Sequence, residues 1–381
     1  MDELSSLGYR VLLITSAGLK DKNWPKHALD EIFYMEEITP SHWNLTHLIE
    51  GFAYLLRNRK VDAVVALDDY DVEKAALIRE TFRIPGMGTS THHYFRDKLA
   101  MRQKASSIGL EVPEFSSVFN NKEVEDYLEK VEGPWVLKPR SQASASGIKK
   151  IHSKEQAFEE LEKLDKERHL YLLESYRKGT VYHVDSLTYQ GEVVFTCVSQ
   201  YLNPPLDVSQ GGVFQSITLG RYSDAFKALE KENKKVIERF GLQNGAAHTE
   251  FIYGEEDLKW YFLETSSRVG GAHIADLVET STGVNLWREW AKIEHSVLSK
   301  LPYPIKNPTG FSAGLIIALS KEKHPDTSEI QCEEIVKTLP LDYHVGLVIK
   351  TPEKEQTLSL LEQIAEWITK NHLSVVPPKT M

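Results

Sequence analysis

Apolar positions in this chain fall into short runs punctuated by turn residues, and the runs alternate between strand and helix spacing. Arg10–Thr15 (R-V-L-L-I-T) reads as a buried strand followed by a loop at Gly18. A second run, Val61–Leu67, ends in the acids Asp68, Asp69 and Asp71, and helical spacing resumes over Val72–Phe82. Strand, helical connection and strand predict a small parallel α/β unit. Acids at a strand's carboxyl end lie where open sheets take ligands, although capping and turn formation explain them as well. A helix is expected over Tyr94–Ser107, stopped by Gly109 and Pro113.

The next stretch reads as a lobe of its own. It runs helix (Lys122–Glu129), strand (P-W-V-L-K-P), small-residue loop (S-Q-A-S-A-S-G), strand (I-K-K-I), charged helix (Lys154–Glu167) and strand (L-Y-L-L-E-S-Y). From Thr180 the pattern turns to period two: V-Y-H-V-D-S-L-T-Y, a turn at Gln190-Gly191, then E-V-V-F-T-C-V-S. A long loop is expected over Leu202–Gly212, a helix over Tyr222–Phe240 ended by Gly241, and another helix over Leu286–Leu301. After a Pro-rich boundary come two strands, G-L-I-I-A-L and H-V-G-L-V-I-K, and a helix over Lys354–Thr369.

The strongest chemical signal is the run H-T-E-F-I-Y-G-E-E-D-L-K-W-Y-F-L-E-T-S-S-R-V-G-G. A hairpin centred on Asp257 sets Glu250 directly across from Glu264, with Cβ atoms roughly 4.5–5.5 Å apart. Like charges that close need a cation or a shared proton between them, and two carboxylates with phosphate oxygens and water suit Mg²⁺. Two solvated acids on a hairpin is the plain alternative. Period-two geometry turns Glu264, Ser266 and Arg268 to one face, which makes that face unusually polar beside W-Y-F-L. His248 shares the face of Glu250, as a packed histidine or as a phosphate contact.

Composition narrows the classes. The chain has 381 residues, room for two or three domains, and a formal charge of -10, which argues against nonspecific nucleic-acid binding. Two cysteines, Cys197 and Cys332, have no metal or redox spacing. No run is apolar over about eighteen residues, and the acidic start lacks a signal-peptide pattern, so a soluble cytoplasmic protein with no membrane partner is expected. The loop after Lys138 is built of Ser, Ala and Gly, residues that let backbone N–H groups approach phosphate, and the lysine adds a compact positive charge. It is not a Walker A loop, and taken alone it reads equally well as a surface loop.

Taken in order, Lys98 in F-R-D-K-L, V-L-K-P-R-S-Q-A-S-A-S-G, L-L-E-S-Y-R-K-G, the H-T-E strand and F-L-E-T-S-S-R-V-G-G resemble the motifs of the ATP-grasp superfamily. Within it the pattern is most similar to carboxylate–amine ligases of the L-amino acid ligase kind, strongest over residues 90–300. The resemblance implies mixed α/β and α+β architecture: an N-terminal parallel α/β domain (1–90), a first ATP-grasp part (91–180) with a mobile central lobe (about 114–175), a catalytic lobe with the metal-binding hairpin (181–302), and a C-terminal extension packed on it (303–381).

It also implies roles. Lys98 and Lys138 would contact ATP phosphates, with Ser141, Ser144, Ser146 and Gly147 closing over them. Glu174, Ser175 and Tyr176 would hold the adenine. Glu250 and Glu264 would bind Mg²⁺, or Mn²⁺ in its place, and Arg268 would steady an acyl phosphate and the tetrahedral intermediate. Lys138 and Glu264 would share in catalysis with Arg268. The implied substrates are a small carboxylate and an amine, free amino acids foremost, and a homodimer is the expected assembly.

Two positions depart from the family pattern. Ser266 stands where Asn usually completes the second metal site, and Val181 where an acid usually meets the ribose, leaving His183 or Asp185 as substitutes. A bicarbonate-activating carboxylase-type enzyme and a non-catalytic ATP-binding regulator are the competing readings.

Overall fold

The computed structural model describes residues 1–39, 42–142, 147–204, 208, 211–304, 307–330 and 332–374. At the N-terminus β1 (Leu12–Ser16) pairs in parallel with β2 (Glu31–Met35), and β3 (Glu37–Thr39) and β4 (His42–Trp43) form a short ribbon. Helices Leu45–Leu56 and Val72–Phe82 close a small core with Trp43, Leu48, Phe52, Ile78 and Ile84. The strand expected over Val61–Leu67 is a correction: that segment belongs to no ladder. Arg79 Nε donates to the Val64 carbonyl at 2.9 Å, so a side chain takes the acceptor that a neighbouring strand would use.

The expected Tyr94–Ser107 helix is also divided. A short 3-10 turn covers His93–Phe95, and the α-helix begins at Lys98 and runs to Ser107. Asp97 breaks the run by turning extended and accepting from the Leu99 and Ala100 amides as an N-cap. Lys98 therefore occupies the first turn of a helix.

The central lobe is an antiparallel sheet of β5 (Phe115–Ser117), β6 (Trp135–Pro139), β7 (Lys149–Ile151) and β8 (Tyr171–Ser175), in the order β5-β8-β6-β7. Helices Asn121–Lys130 and Lys154–Leu164 give it its own core of Val124, Leu128, Trp135, Leu137, Ile151, Leu161 and Leu173. The second helix ends short of Glu167, because Asp165 adopts a positive φ of 46°.

The rest is organised by one eight-stranded antiparallel sheet. Its strands are β9 (Gly179–Tyr189), β10 (Glu192–Tyr201), β11 (Phe214–Thr218), β12 (Gly245–Gly254), β13 (Trp260–Ser266), β14 (Ser312–Leu319), β15 (Ile335–Thr338) and β16 (His344–Thr351). The order is β13-β12-β9-β10-β11-β14-β16-β15, so the last three strands continue the sheet. Neighbouring residues on β12 serve opposite faces. Ala246 packs with Leu187, Leu277 and Trp290, whereas Ala247 packs with Phe226, Val236 and Phe240 of the Asp224–Phe240 helix. Helices Ile274–Thr282 and Leu286–Ser299 cover the first face, and Lys354–Asn371 covers the sheet near β14 and β16. Strand β12, flanked by β13 and β9, lies inside this sheet, and so do the polar groups it carries.

Candidate active site

Beyond a bulge between Glu250 and Phe251, the β12–β13 hairpin has the register expected of it. Glu250 faces Glu264, Thr249 faces Thr265 and His248 faces Ser266. Each acid is held by other groups. Lys98 Nζ lies 2.8 Å from Glu264 Oε2 and donates to the Gln142 carbonyl at 2.8 Å. Burial pushes the Glu264 carboxyl up, but Lys98 outweighs it, and the group is held well below the usual carboxylate range. Glu250 Oε1 accepts from Tyr201 Oη at 2.9 Å. Two opposed carboxylates, hard oxygen donors on one hairpin, are a donor set that fits magnesium.

Lys138 is placed differently. It is buried on β6 and ion-paired to Glu174 on β8, and the other Glu174 oxygen lies 3.0 Å from Arg102. Burial and the cations Arg102 and Lys98 outweigh Glu174 and pull the Lys138 ammonium down to about 8. Arg102 follows Lys98 by one helical turn, so the two cations point the same way and reach both glutamates. Asp97 ties the same helix to the central lobe through its ion pair with Arg140, and the Lys98 amide donates to the Arg140 carbonyl.

Next to Glu250 lies a buried chain of polar groups. His248 Nδ1 bonds Asp185 Oδ1 at 2.9 Å, Asp185 Oδ2 bonds His183 Nδ1 at 2.8 Å, and His183 Nε2 bonds Ser216 Oγ at 2.7 Å. Burial alone would lower the His248 pKa, but the Asp185 carboxylate outweighs it and raises it to about 10. Burial likewise opposes the Asp185 charge, and the two imidazoles overcome it, holding the acid far below its ordinary value.

Arg268 reaches back to the N-terminal region. Its Nε donates to Asp69 Oδ2 at 2.7 Å and its Nη1 donates to the Val269 carbonyl at 2.7 Å. Of the three acids flagged after the first domain's second run, Asp69 thus enters the site. Asp68 caps the Tyr70 amide, and Asp71 pairs with Lys74 at 3.1 Å.

The remaining expected residues are spread more widely. Ser141 is exposed, and Gly147 has φ +73° with Pro139 Cγ 2.9 Å from where a Cβ would stand, so a side chain there is excluded twice over. Ser144 and Ser146 lie outside the described residues. The Ser175 and Tyr176 amides donate to the Glu114 and Pro134 carbonyls, and Ser175 Oγ donates to Glu114 Oε2 at 2.8 Å. His183 is a correction as a ribose contact: it is fully buried, and both ring nitrogens are engaged. Asp185, the other substitute, is sealed in the same chain. Ser266 is half-buried at the end of β13. Residues without an expected role are Arg102, which the helix period from Lys98 could have revealed, and Tyr201, which no local pattern marks.

No family model matches the chain. It is 25% identical over 268 residues to an L-arginine-specific L-amino acid ligase of Bacillus subtilis, covering 68% of this chain and 63% of that relative's length. The chain thus spans less than two thirds of that relative. Among solved structures, an L-amino acid ligase from Bacillus licheniformis superposes with TM-score 0.76 at 19% identity, over 97% of this chain and 93% of the other. The biotin carboxylase domain of a Hydrogenobacter thermophilus 2-oxoglutarate carboxylase, solved with MgADP and bicarbonate, superposes with TM-score 0.69 at 16% identity, over 98% and 87%. The chain shares its fold with these ligase and carboxylase structures. The multi-lobed α/β and α+β architecture of that fold is the one described above. No described helix is long and apolar enough to cross a membrane.

Proposed function

We propose that this protein is an ATP-dependent ligase or synthetase that activates a carboxylate-class acid and passes it to an amine. The observation that carries the reading is the Glu250–Glu264 pair in register, with Lys98 on Glu264. In this reading the acid oxygen attacks the terminal phosphorus of ATP, forming an acyl phosphate and ADP. The amine lone pair then attacks the carbonyl carbon, phosphate leaves with the bonding electrons, and the amine proton is lost to the medium.

Magnesium bound by Glu250 and Glu264 would supply charge neutralisation along the phosphates. Lys98 and Lys138 add fixed positive charge at the same locus, and Arg268, oriented by Asp69, offers paired donors to the acid and to its developing oxyanion. The Glu174–Tyr176 segment takes the adenine. The central lobe, with its own core, closes over the phosphates and keeps water from the acyl phosphate.

Two acids meet these requirements. An amino acid is supported by the sequence likeness to an L-amino acid ligase. Bicarbonate is supported by the wider set of structural likenesses, which includes biotin carboxylases and carboxyaminoimidazole ribonucleotide synthases, and on the comparisons taken together it has the better support.

The experiment is phosphate release from Mg-ATP with bicarbonate plus amines, and with amino acids singly and in pairs, L-arginine first, with product masses measured. Release that needs bicarbonate and an amine, with a carboxylated product, establishes the carboxylase-type enzyme. Release that needs two amino acids, with a product at their summed mass less water, establishes the amino acid ligase. ATP binding without acid-dependent release throughout would overturn both readings and leave a nucleotide-binding regulator.

A further inference from the structure

The chain Ser216–His183–Asp185–His248 runs beneath the candidate metal site, and the chemistry proposed above does not use it. Its members come from strands β11, β9 and β12, and His183 and Asp185 have no exposed surface. Polar groups this deep are costly unless each finds a partner, and here each does. The chain ends on Glu250: His248 Nε2 stands 3.5 Å from Glu250 Oε1, the oxygen that also accepts from Tyr201. Glu250 Oε2 has no hydrogen-bond partner among the described residues. From the other side, Gly270 is pressed against the same pair. A Cβ at Gly270 would lie 2.9 Å from both Asp185 Oδ1 and His248 Nδ1, so the turn that follows Arg268 is seated directly on it.

We propose that Asp185 and His248 are positioning residues for Glu250, holding its Oε1 side so that Oε2 is the oxygen presented to a divalent cation. The inference rests on the reading of Glu250 as a metal ligand. Asp185 fixes the orientation of the His248 ring, and the ring with Tyr201 fixes one carboxylate oxygen, the kind of outer support that tunes a metal site. Packing of Gly270 on the pair sets the Arg268 turn and Glu250 from one common block. His183, Asp185 and His248 also lie within 4.8 Å of one another. Their hydrogen bonds of 2.8 and 2.9 Å to Asp185, and that of His183 to Ser216, engage the ring nitrogens, so the trio is a hydrogen-bonded chain and not a second cation site.

The test is Mn²⁺ binding to the full chain saturated with ADP, read by electron paramagnetic resonance, beside ADP affinity without divalent ions and the thermal midpoint. His248→Ala is expected to weaken Mn²⁺ by about 10–100-fold and to leave metal-free ADP affinity unchanged. His248→Gln, which keeps an amide donor facing Glu250, recovers part of the loss. Unchanged Mn²⁺ affinity in His248→Ala overturns the proposal, and so does an equal loss of ADP affinity with a lowered thermal midpoint, the mark of a merely structural role. Should His248→Ala not fold, Gly270→Ala crowds the same pair, and wild-type Mn²⁺ affinity in that variant counts against the proposal equally. A wild-type chain that binds ADP but takes up no Mn²⁺ removes the metal reading of Glu250 and this inference with it. Tightly held transition metal in the purified protein, lost in Asp185→Asn, would also overturn it.

Discussion

Two lysine–glutamate pairs stand at the centre of this molecule, and their surroundings differ. In the first, a Lys98 side chain that is only 11% exposed meets a Glu264 side chain that is 32% exposed. In the second, Lys138 and Glu174 are 8% and 6% exposed and share Arg102, which is sealed completely. A pair with one partly accessible member can exchange that member's partner more readily than a sealed pair. A buried pair stands or falls as a unit, because removing one member strands a charge in low dielectric. On the proposed function, the first pair would hand its lysine to a phosphate and its glutamate to a cation. The second joins the helix carrying Lys98 to the sheet of the central lobe, and on the proposed function would yield Lys138 only to a ligand offering an equal charge.

The sharpest way to break this contrast is to remove each glutamate's charge. Glu174→Gln leaves Lys138 and Arg102 uncompensated and should cost about 3–5 kcal/mol of stability in a denaturant titration. Glu264→Gln should move the thermal midpoint little and instead cost about 100-fold in turnover, roughly 3 kcal/mol of transition-state stabilisation. Equal destabilisation by both would erase the distinction.

A milder probe uses pH. Burial and neighbouring cations lower Lys138 to about 8, so above that pH the free protein holds it increasingly neutral. A bound phosphate favours the ammonium, so nucleotide binding at about pH 8.5 should take up a proton, and affinity should fall as pH rises through that value. Calorimetry in buffers of different ionisation enthalpy reads the uptake. Lys138→Met should abolish it, and Lys98→Ala, which removes one of the cations that lower Lys138, should reduce it without abolishing it.

The smallest effect is expected at Ser266. An Asn there supplies a longer carbonyl ligand, and Ser266→Asn should lower the Mg²⁺ concentration for half-maximal turnover by about a few-fold. No change would place Ser266 outside the metal's reach.

The hairpin was the most legible part of the sequence, since counting outward from Asp257 sets Glu250 opposite Glu264, although counting cannot register the bulge that pairs Phe251 with Phe262. Lys138 was legible as a cation beside a small-residue loop and Lys98 through the family resemblance, but their partners were not. Lys98–Glu264 and Lys138–Glu174 join elements far apart in the chain, and no local spacing encodes them. Arg102 was within reach, since it follows Lys98 by one helical turn. The chain from Ser216 to His248 was not, because its members come from strands brought together only by the order of the sheet. The N-terminal misreading has a similar origin: Val61–Leu67 has strand periodicity, yet Arg79 takes the Val64 carbonyl, and periodicity cannot register a side chain competing for a backbone acceptor.

The central claim is that an acid oxygen is phosphorylated before the amine attacks. Supplying the acid, or bicarbonate, with oxygen-18 tests it in one step. The account predicts that the phosphate released during turnover carries one labelled oxygen taken from the acid, in proportion to product. Phosphate released without label, at the same rate, would contradict an acyl phosphate and remove the ligase and carboxylase readings together.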